Sequence, residues 1–196
     1  MTNKNKTTLL KVCITTGICL VVAGALALVF WQGNITLSKQ KAESYVSALT
    51  ALIPEPQGAT AEERRDNNMS VLSIDGKDFV GMLEMPRYEL VLPICAEWKN
   101  INRCPCRFSG SVYDKSMQIG ATTQNGQFDF YRQISVGDTV KFTDVEGNVY
   151  TYAITNLRYE RRADKAALER EDSALTLFVK NIYGFEYLII SCNTVA

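Results

Sequence analysis

The sequence predicts a mainly β fold, a small β-barrel carried behind an apolar N-terminal helix. Three observations predict it. A charge-free apolar run lies near the N-terminus, short strand-like segments separated by turn residues follow from Val71 onward, and one charged, helix-prone stretch interrupts them. Short strands in series with a single helical insertion suit a small barrel.

The apolar run, Val12 to Trp31, is 20 residues without a charged side chain. At about 1.5 Å per residue, such a helix spans a bilayer core of about 30 Å. Ala25-Leu26-Ala27 resembles a signal-peptide cleavage site, but the run continues through Leu28, Val29, Phe30 and Trp31. Signal peptides have shorter apolar cores, so an uncleaved transmembrane helix is expected. Cys19 follows Thr16, Gly17 and Ile18 after too short an apolar stretch to suit lipid attachment. Lys4, Lys6 and Lys11 precede the span and no acid does. The positive flank stays in the cytoplasm, so the C-terminal portion is expected outside the cell, with the protein single-pass in the cell membrane. All 21 acids but only 18 of the 21 bases follow the span, leaving that portion about three charges negative. With no basic aromatic patch, nucleic acid is excluded as a partner.

Asn34 to about Ser70 is polar and connects the span to the domain. Within it, Ala42, Tyr45, Val46, Leu49 and Leu52 recur at helical spacing, predicting a short amphipathic helix over 39–52 that Pro54 and Pro56 end. Gly58 to Asn68 is charged and apolar-poor, as an exposed linker is. The expected organisation is a cytoplasmic tail (1–11), a transmembrane helix (12–31), a helix and linker (32–70) and a β-barrel domain (71–196).

In the domain, Asp75-Gly76-Lys77-Asp78 predicts a turn before a strand over Phe79–Pro86. Thr139–Thr143 and Val149–Ile154 flank Glu146-Gly147-Asn148, the pattern of a β-hairpin. Leu175–Val179 and Tyr187–Ser191 predict a last strand pair around Tyr183-Gly184, and Ala163–Arg170 is the helix-prone insertion. Of six cysteines, Cys13 and Cys19 fall in the apolar span and Cys95, Cys104, Cys106 and Cys192 in the domain. An even number permits disulfides without fixing their connectivity. Cys104-Pro105-Cys106 lacks the usual two-residue gap of a zinc site and no histidine can assist, so neither a metal nor another cofactor is expected.

Several segments, in order, resemble the sortases of Gram-positive bacteria, the class B type most closely. Gly81–Pro86 resembles the family's first core strand, and Leu92-Pro93-Ile94 its "LPV" element. Pro105–Ser111 resembles a stretch seen in related proteins. Phe128 followed by Ile134-Ser135-Val136-Gly137-Asp138 resembles its "F..L..L..GD" block, and Phe142–Tyr150 the hairpin after it. Leu175-Thr176-Leu177-Phe178 resembles the strand that leads to the nucleophile. The resemblance covers about Val71 to Cys192 and implies a closed sortase-type β-barrel of about eight strands with short helices.

In active sortases a Cys thiolate attacks a sorting motif of the "LPXTG" kind, a His protonates the leaving amine, and an Arg steadies substrate and oxyanion. An amine then resolves the thioester. Such chemistry needs an ionisable nucleophile, an acid titrating near working pH and a positioned donor. The resemblance places Lys180 at the nucleophile position, Thr122 at the His position and Tyr187 at the Arg position, with Cys192 matching a Cys that often ends the last strand. All three catalytic positions depart from the pattern. Independently of any alignment, the chain contains no histidine, so no thiolate–imidazolium pair can form.

These three positions also define a candidate ligand-binding cleft. Lys180 could serve as an amine nucleophile or hold a carboxylate, but an amine attacking an amide yields another stable amide. As plain structure, Lys180 is a solvated strand-end residue, Tyr187 a cross-strand packing residue, Thr122 a loop polar residue, and Cys106 and Cys192 small core residues. Three functional readings follow. The first is a pseudo-sortase at the cell surface that binds a sorting-signal-like peptide or an active sortase. The second is an active transpeptidase or peptidase using Cys106, Cys192 or Lys180. The third is a purely structural surface-assembly module.

Overall fold

A computed structural model describes residues 3–55, 68–99, 101–161, 172–181 and 186–195. The chain forms two units, Met1–Leu37 and Ser38–Ala196.

Helix α1 (Asn3–Leu52) runs through the first unit and into the second. In the first unit Leu20, Val21, Leu26, Val29 and Phe30 are all exposed. A window of this helix has a mean hydropathy of 2.5, and α1 is the one helix among the described residues long and apolar enough to cross a membrane. The separate anchor and amphipathic helix expected from the sequence are therefore one helix. Residues 32–38 contain no proline, and Gly33, at a cost of about 1 kcal/mol, does not stop propagation of a helix already nucleated. The end at Leu52 matches expectation: Ile53 N–H still reaches the Leu49 carbonyl at 2.8 Å, and Pro54 has no N–H to offer.

The second unit is built on nine strands: β1 (Leu72–Ile74), β2 (Lys77–Met85), β3 (Leu90–Cys95), β4 (Cys106–Ser109), β5 (Met117–Thr122), β6 (Thr139–Asp144), β7 (Val149–Glu160), β8 (Leu175–Asn181) and β9 (Glu186–Thr194). They are ordered β1-β2-β3-β4-β5-β8-β9-β7-β6, and a further β2–β6 pairing closes eight of them into a barrel with β1 outside. The expected mainly β, closed barrel is what forms. Its short helices are 3-10 turns at Pro86–Tyr88 and Tyr131–Gln133.

Local chemistry explains the turns. Asp75 and Gly76 both have positive φ, the backbone of the tight hairpin joining β1 to β2. At the β6–β7 hairpin the buried Asp144 carboxylate accepts the Glu146 and Asn148 N–H groups at 2.9 Å each, and Gly147 takes φ +87°. Strand β7 is longer than its sequence pattern suggested, because β9 pairs with it as far as Glu160 opposite Tyr187.

Alternation sets the two faces of the barrel wall. Met117, Ile119 and Ala121 of β5, Leu175, Leu177 and Val179 of β8, and Leu188, Ile190 and Cys192 of β9 join Phe128, Phe142 and Tyr152 in one buried core. A second apolar cluster lies outside the wall, where Tyr45 and Leu49 of α1 cover Phe79, with the two rings 5.1 Å apart. The helix-prone stretch 163–170, the Tyr183-Gly184 turn and nearly all of the 58–68 linker lie outside the described residues.

The "GD" aspartate has a structural task. Asp138 is buried and receives Tyr88 Oη at 2.6 Å, Ser135 N–H at 2.9 Å and the Arg87 guanidinium, tying the turn before β6 to that after β2. Burial pushes its carboxyl up, but the hydrogen bonds from Tyr88, Ser135 and Arg87 outweigh burial and hold it below the ordinary carboxylate range.

Candidate functional site

The three positions singled out from the sequence share one rung of the sheet. Thr122 at the end of β5 pairs with Lys180 of β8, and Lys180 pairs with Tyr187 of β9. Residues 121, 179 and 188 point into the core, so the rung of 122, 180 and 187 projects from the outer face. Lys180 is exposed and Tyr187 half-buried.

Thr122 is fully buried, and its polar groups are engaged locally. Its hydroxyl accepts the Gln124 N–H at 3.2 Å, and its own N–H donates to Gln127 Oε1 at 3.0 Å. Gln127 Nε2 in turn donates to the Ile101 carbonyl at 2.8 Å, and Asn125 Nδ2 to Asn102 O at 2.6 Å. Thr122 is thus the last strand residue and the start of a turn anchored to the β3–β4 connection. A ligand on this face would meet Lys180 and Tyr187.

Two rungs along, on the same face, Gly120, Phe178 and Ile189 lie side by side, with Cys106 of β4 opposite Gly120. Trp98, from the β3–β4 connection, lies over this rung. Its ring centre is 5.1 Å from Phe108, edge to face, and 5.5 Å from Phe178. Glycine at 120 makes room for it: a Cβ there would come within 2.7 Å of Phe178 Cε2 and into the Trp98 six-membered ring. This aromatic floor was not singled out in the sequence. A tryptophan in an otherwise polar connection, with a glycine amid a strand, was the available signal.

The cysteines fall into two environments. Cys192 points into the barrel core, fully buried, and burial pushes its thiol up to about 12. It is a core residue with no path to the outer face. Cys95 and Cys106 instead share a rung of β3 and β4, and Cys95 packs against the apolar cluster that contains Cys104. The Cys104 thiol also donates to the Pro93 carbonyl at 3.1 Å and the Cys106 thiol to the Cys104 carbonyl at 3.2 Å. All three line a cavity of about 230 Å3 with Lys77, Arg103 and Lys99. The Cys95 thiol is raised to about 12, first by its hydrogen bond to Cys104, then by burial, while Cys106 and Lys77 act the other way. No group of three donors arranged to hold a metal ion occurs among the described residues.

The architecture thus defines a class: a closed antiparallel-dominated barrel in which β8 enters parallel to β5 and presents a three-residue rung on the outer wall. Solved structures identify that barrel as the sortase fold. Sortase C1 from Streptococcus agalactiae superposes with a TM-score of 0.53 at 19% identity, over 63% of this chain and 71% of its own. Sortase A from Corynebacterium diphtheriae gives 0.53 at 13% identity, over 83% and 84%. Sortase C-1 from Actinomyces oris gives 0.52 at 16%, over 83% and 99%. At these identities the likeness is one of fold and does not distinguish sortase classes. No protein-family model and no curated protein matches the chain.

Proposed function

We propose that this chain is a membrane-anchored, extracellular pseudo-sortase of a Gram-positive cell surface. On this reading α1 is the single-pass anchor, with its N-terminus cytoplasmic, and the barrel binds a sorting-signal-like peptide or an active sortase without catalysing transpeptidation. The observation that carries the reading is the rung of Thr122, Lys180 and Tyr187. It stands where the resemblance puts His, Cys and Arg, in a chain without any histidine. A rung bearing a hydroxyl, an amine and a phenol has no thiol to attack an amide and no imidazole to protonate the leaving amine. It does offer a cation for a peptide carboxylate and an aromatic face for an apolar side chain.

The test uses the full chain in detergent with a panel of fluorescent sorting peptides. Binding without turnover is expected, and Lys180→Ala with Tyr187→Ala weakens it at least several-fold. Cleavage or amine transfer of any peptide by the purified chain sinks the proposal. Retention of full binding by the double variant would move the binding surface elsewhere, as the structural-module reading requires.

A second reading, a thiol enzyme with a non-standard site, draws on the cavity that gathers three cysteines beside Lys77 and Arg103. The absence of histidine weighs against it, since no imidazole is at hand to protonate the leaving amine of a cleaved peptide. An electrophilic sorting-peptide analogue forming no adduct on Cys95, Cys104, Cys106 or Lys180 removes that reading.

A further inference from the structure

The thiol-lined cavity supports an inference that stands apart from the outer-face rung. Cys95 ends β3, and Cys104 and Cys106 bracket the entry to β4, so the connection carrying Trp98 begins and ends at cysteines that line one cavity. Cys95 and Cys104 belong to the apolar cluster beneath Tyr45 and Leu49, which Cys106 does not join. Cys104 is buried and Cys95 partly open. The cavity in front of them holds Lys77, Lys99 and Arg103 against Asp78 and Glu97, a lining that suits a small anionic reagent.

We propose that Cys95 and Cys104 form a reversible disulfide by exchange with a low-molecular-weight disulfide, fixing both ends of the connection that lays Trp98 over Gly120. In the first step the Cys95 thiolate attacks one sulfur of the external disulfide. The external S–S bond breaks, a mixed disulfide forms on Cys95, and one small thiolate leaves and takes up the proton Cys95 released. In the second step the Cys104 thiolate attacks the Cys95 sulfur and displaces the other small thiolate, which takes up the Cys104 proton. Two protein thiols are oxidised, and one external disulfide is reduced to two thiols.

Three features separate this site from an accidental proximity of cysteines. Cys95 and Cys104 meet in one apolar cluster and line one cavity, so their side chains face a common space. One partner is reachable and the other is sheltered, the arrangement in which a mixed disulfide resolves internally. The pair closes a short connection whose Trp98 has a specific seat on Phe108 and Phe178.

The experiment uses the full chain in detergent, reduced and then exposed to oxidised glutathione, with acid quenching, alkylation, digestion and mass mapping. The expected product is a Cys95–Cys104 linked peptide, two hydrogens lighter than its reduced parts and released by dithiothreitol, while Cys106 and Cys192 alkylate after denaturation. Cys106→Ser keeps the bridge. Cys104→Ser stops at a glutathione adduct on Cys95. Tryptic cleavage after Lys99 and Arg103 in the native chain is expected to slow several-fold on oxidation. Full alkylation of Cys95 after prolonged oxidation, a Cys104–Cys106 bridge, or a bridge that survives Cys104→Ser overturns the pairing. An unchanged cleavage rate in the bridged protein overturns its control of the connection.

Discussion

Enlarging Gly120 to alanine tests whether Trp98 is seated on the outer wall. The added Cβ would overlap the Trp98 ring and approach Phe178 Cε2 to 2.7 Å. Overpacking of this kind costs about 1–3 kcal/mol when neighbours are held by the sheet. Phe178 is held in β8, but Trp98 comes from a connection and is 44% exposed, so Trp98 gives way first. Removing the indole with Trp98→Ala loses about half the burial of a large aromatic, roughly 120 Å2 and about 3 kcal/mol at about 25 cal/mol/Å2. Once Trp98 is gone, the two shortest approaches vanish, the one to Phe178 Cε2 remains, and Gly120→Ala should cost about 1 kcal/mol. The double-mutant cycle therefore carries a coupling of at least about 1 kcal/mol, read as unequal shifts in thermal midpoint at about 2–4 °C per kcal/mol. Additivity of the two changes within about 0.5 kcal/mol would refute the seating of Trp98 and, with it, the aromatic floor beside the rung.

Three further outcomes are expected. Because the Cys95 thiol is raised to about 12, its thiolate is about one part in 10⁵ at pH 7, so alkylation of the reduced protein should accelerate about tenfold per pH unit from 7 to 10. A plateau near pH 9 would contradict the hydrogen-bonded, buried account. The same upward shift favours the fold below about pH 9, and that contribution fades as pH rises towards about 12. Asp138→Ala removes the acceptor of the Ser135 N–H and of Arg87, leaves Tyr88 Oη only the Gln133 carbonyl at 2.8 Å, and should cost about 1–3 kcal/mol at neutral pH. Since the Asp138 carboxyl is held low, its contribution is present above about pH 4 and lost as pH falls further, so wild type and Asp138→Asn should converge in stability in acid. Lys180→Ala, on an exposed strand position, should leave the folding stability within about 0.5 kcal/mol of wild type while weakening peptide binding.

How far the sequence could be read depended on whether the signal was local. The β1–β2 and β6–β7 hairpins were legible because Asp75-Gly76 and Glu146-Gly147-Asn148 carry their turn chemistry with them. The apolar run of α1 was legible from composition, but its continuation through residues 32–38 was not, since polar residues at its surface look like a connection. Strands β4 and β5 were hidden: Met117–Thr122 contains a glycine and two threonine-like or small positions, and its strand character comes from β8 alongside. The rung of Thr122, Lys180 and Tyr187 joins residues 58 and 7 positions apart, reachable from sequence only through the resemblance and not through periodicity. The clustering of Cys95 with Cys104 and Cys106 depends on the parallel β3–β4 pairing, a non-local contact that no spacing rule encodes.

The order of the strands has a consequence for how this chain must mature. β8 and β9 fill the gap between β5 and β7, so residues 175–194 complete the middle of the wall, not its rim. Until they emerge, two interior ladders stand with bare amides and carbonyls, the surfaces on which nascent β proteins stick to one another. The barrel cannot be finished from its front end while the tail is still being made. A helper that shields unpaired ladders, or delivery of the whole chain before closure, would bear most heavily on the yield of this protein.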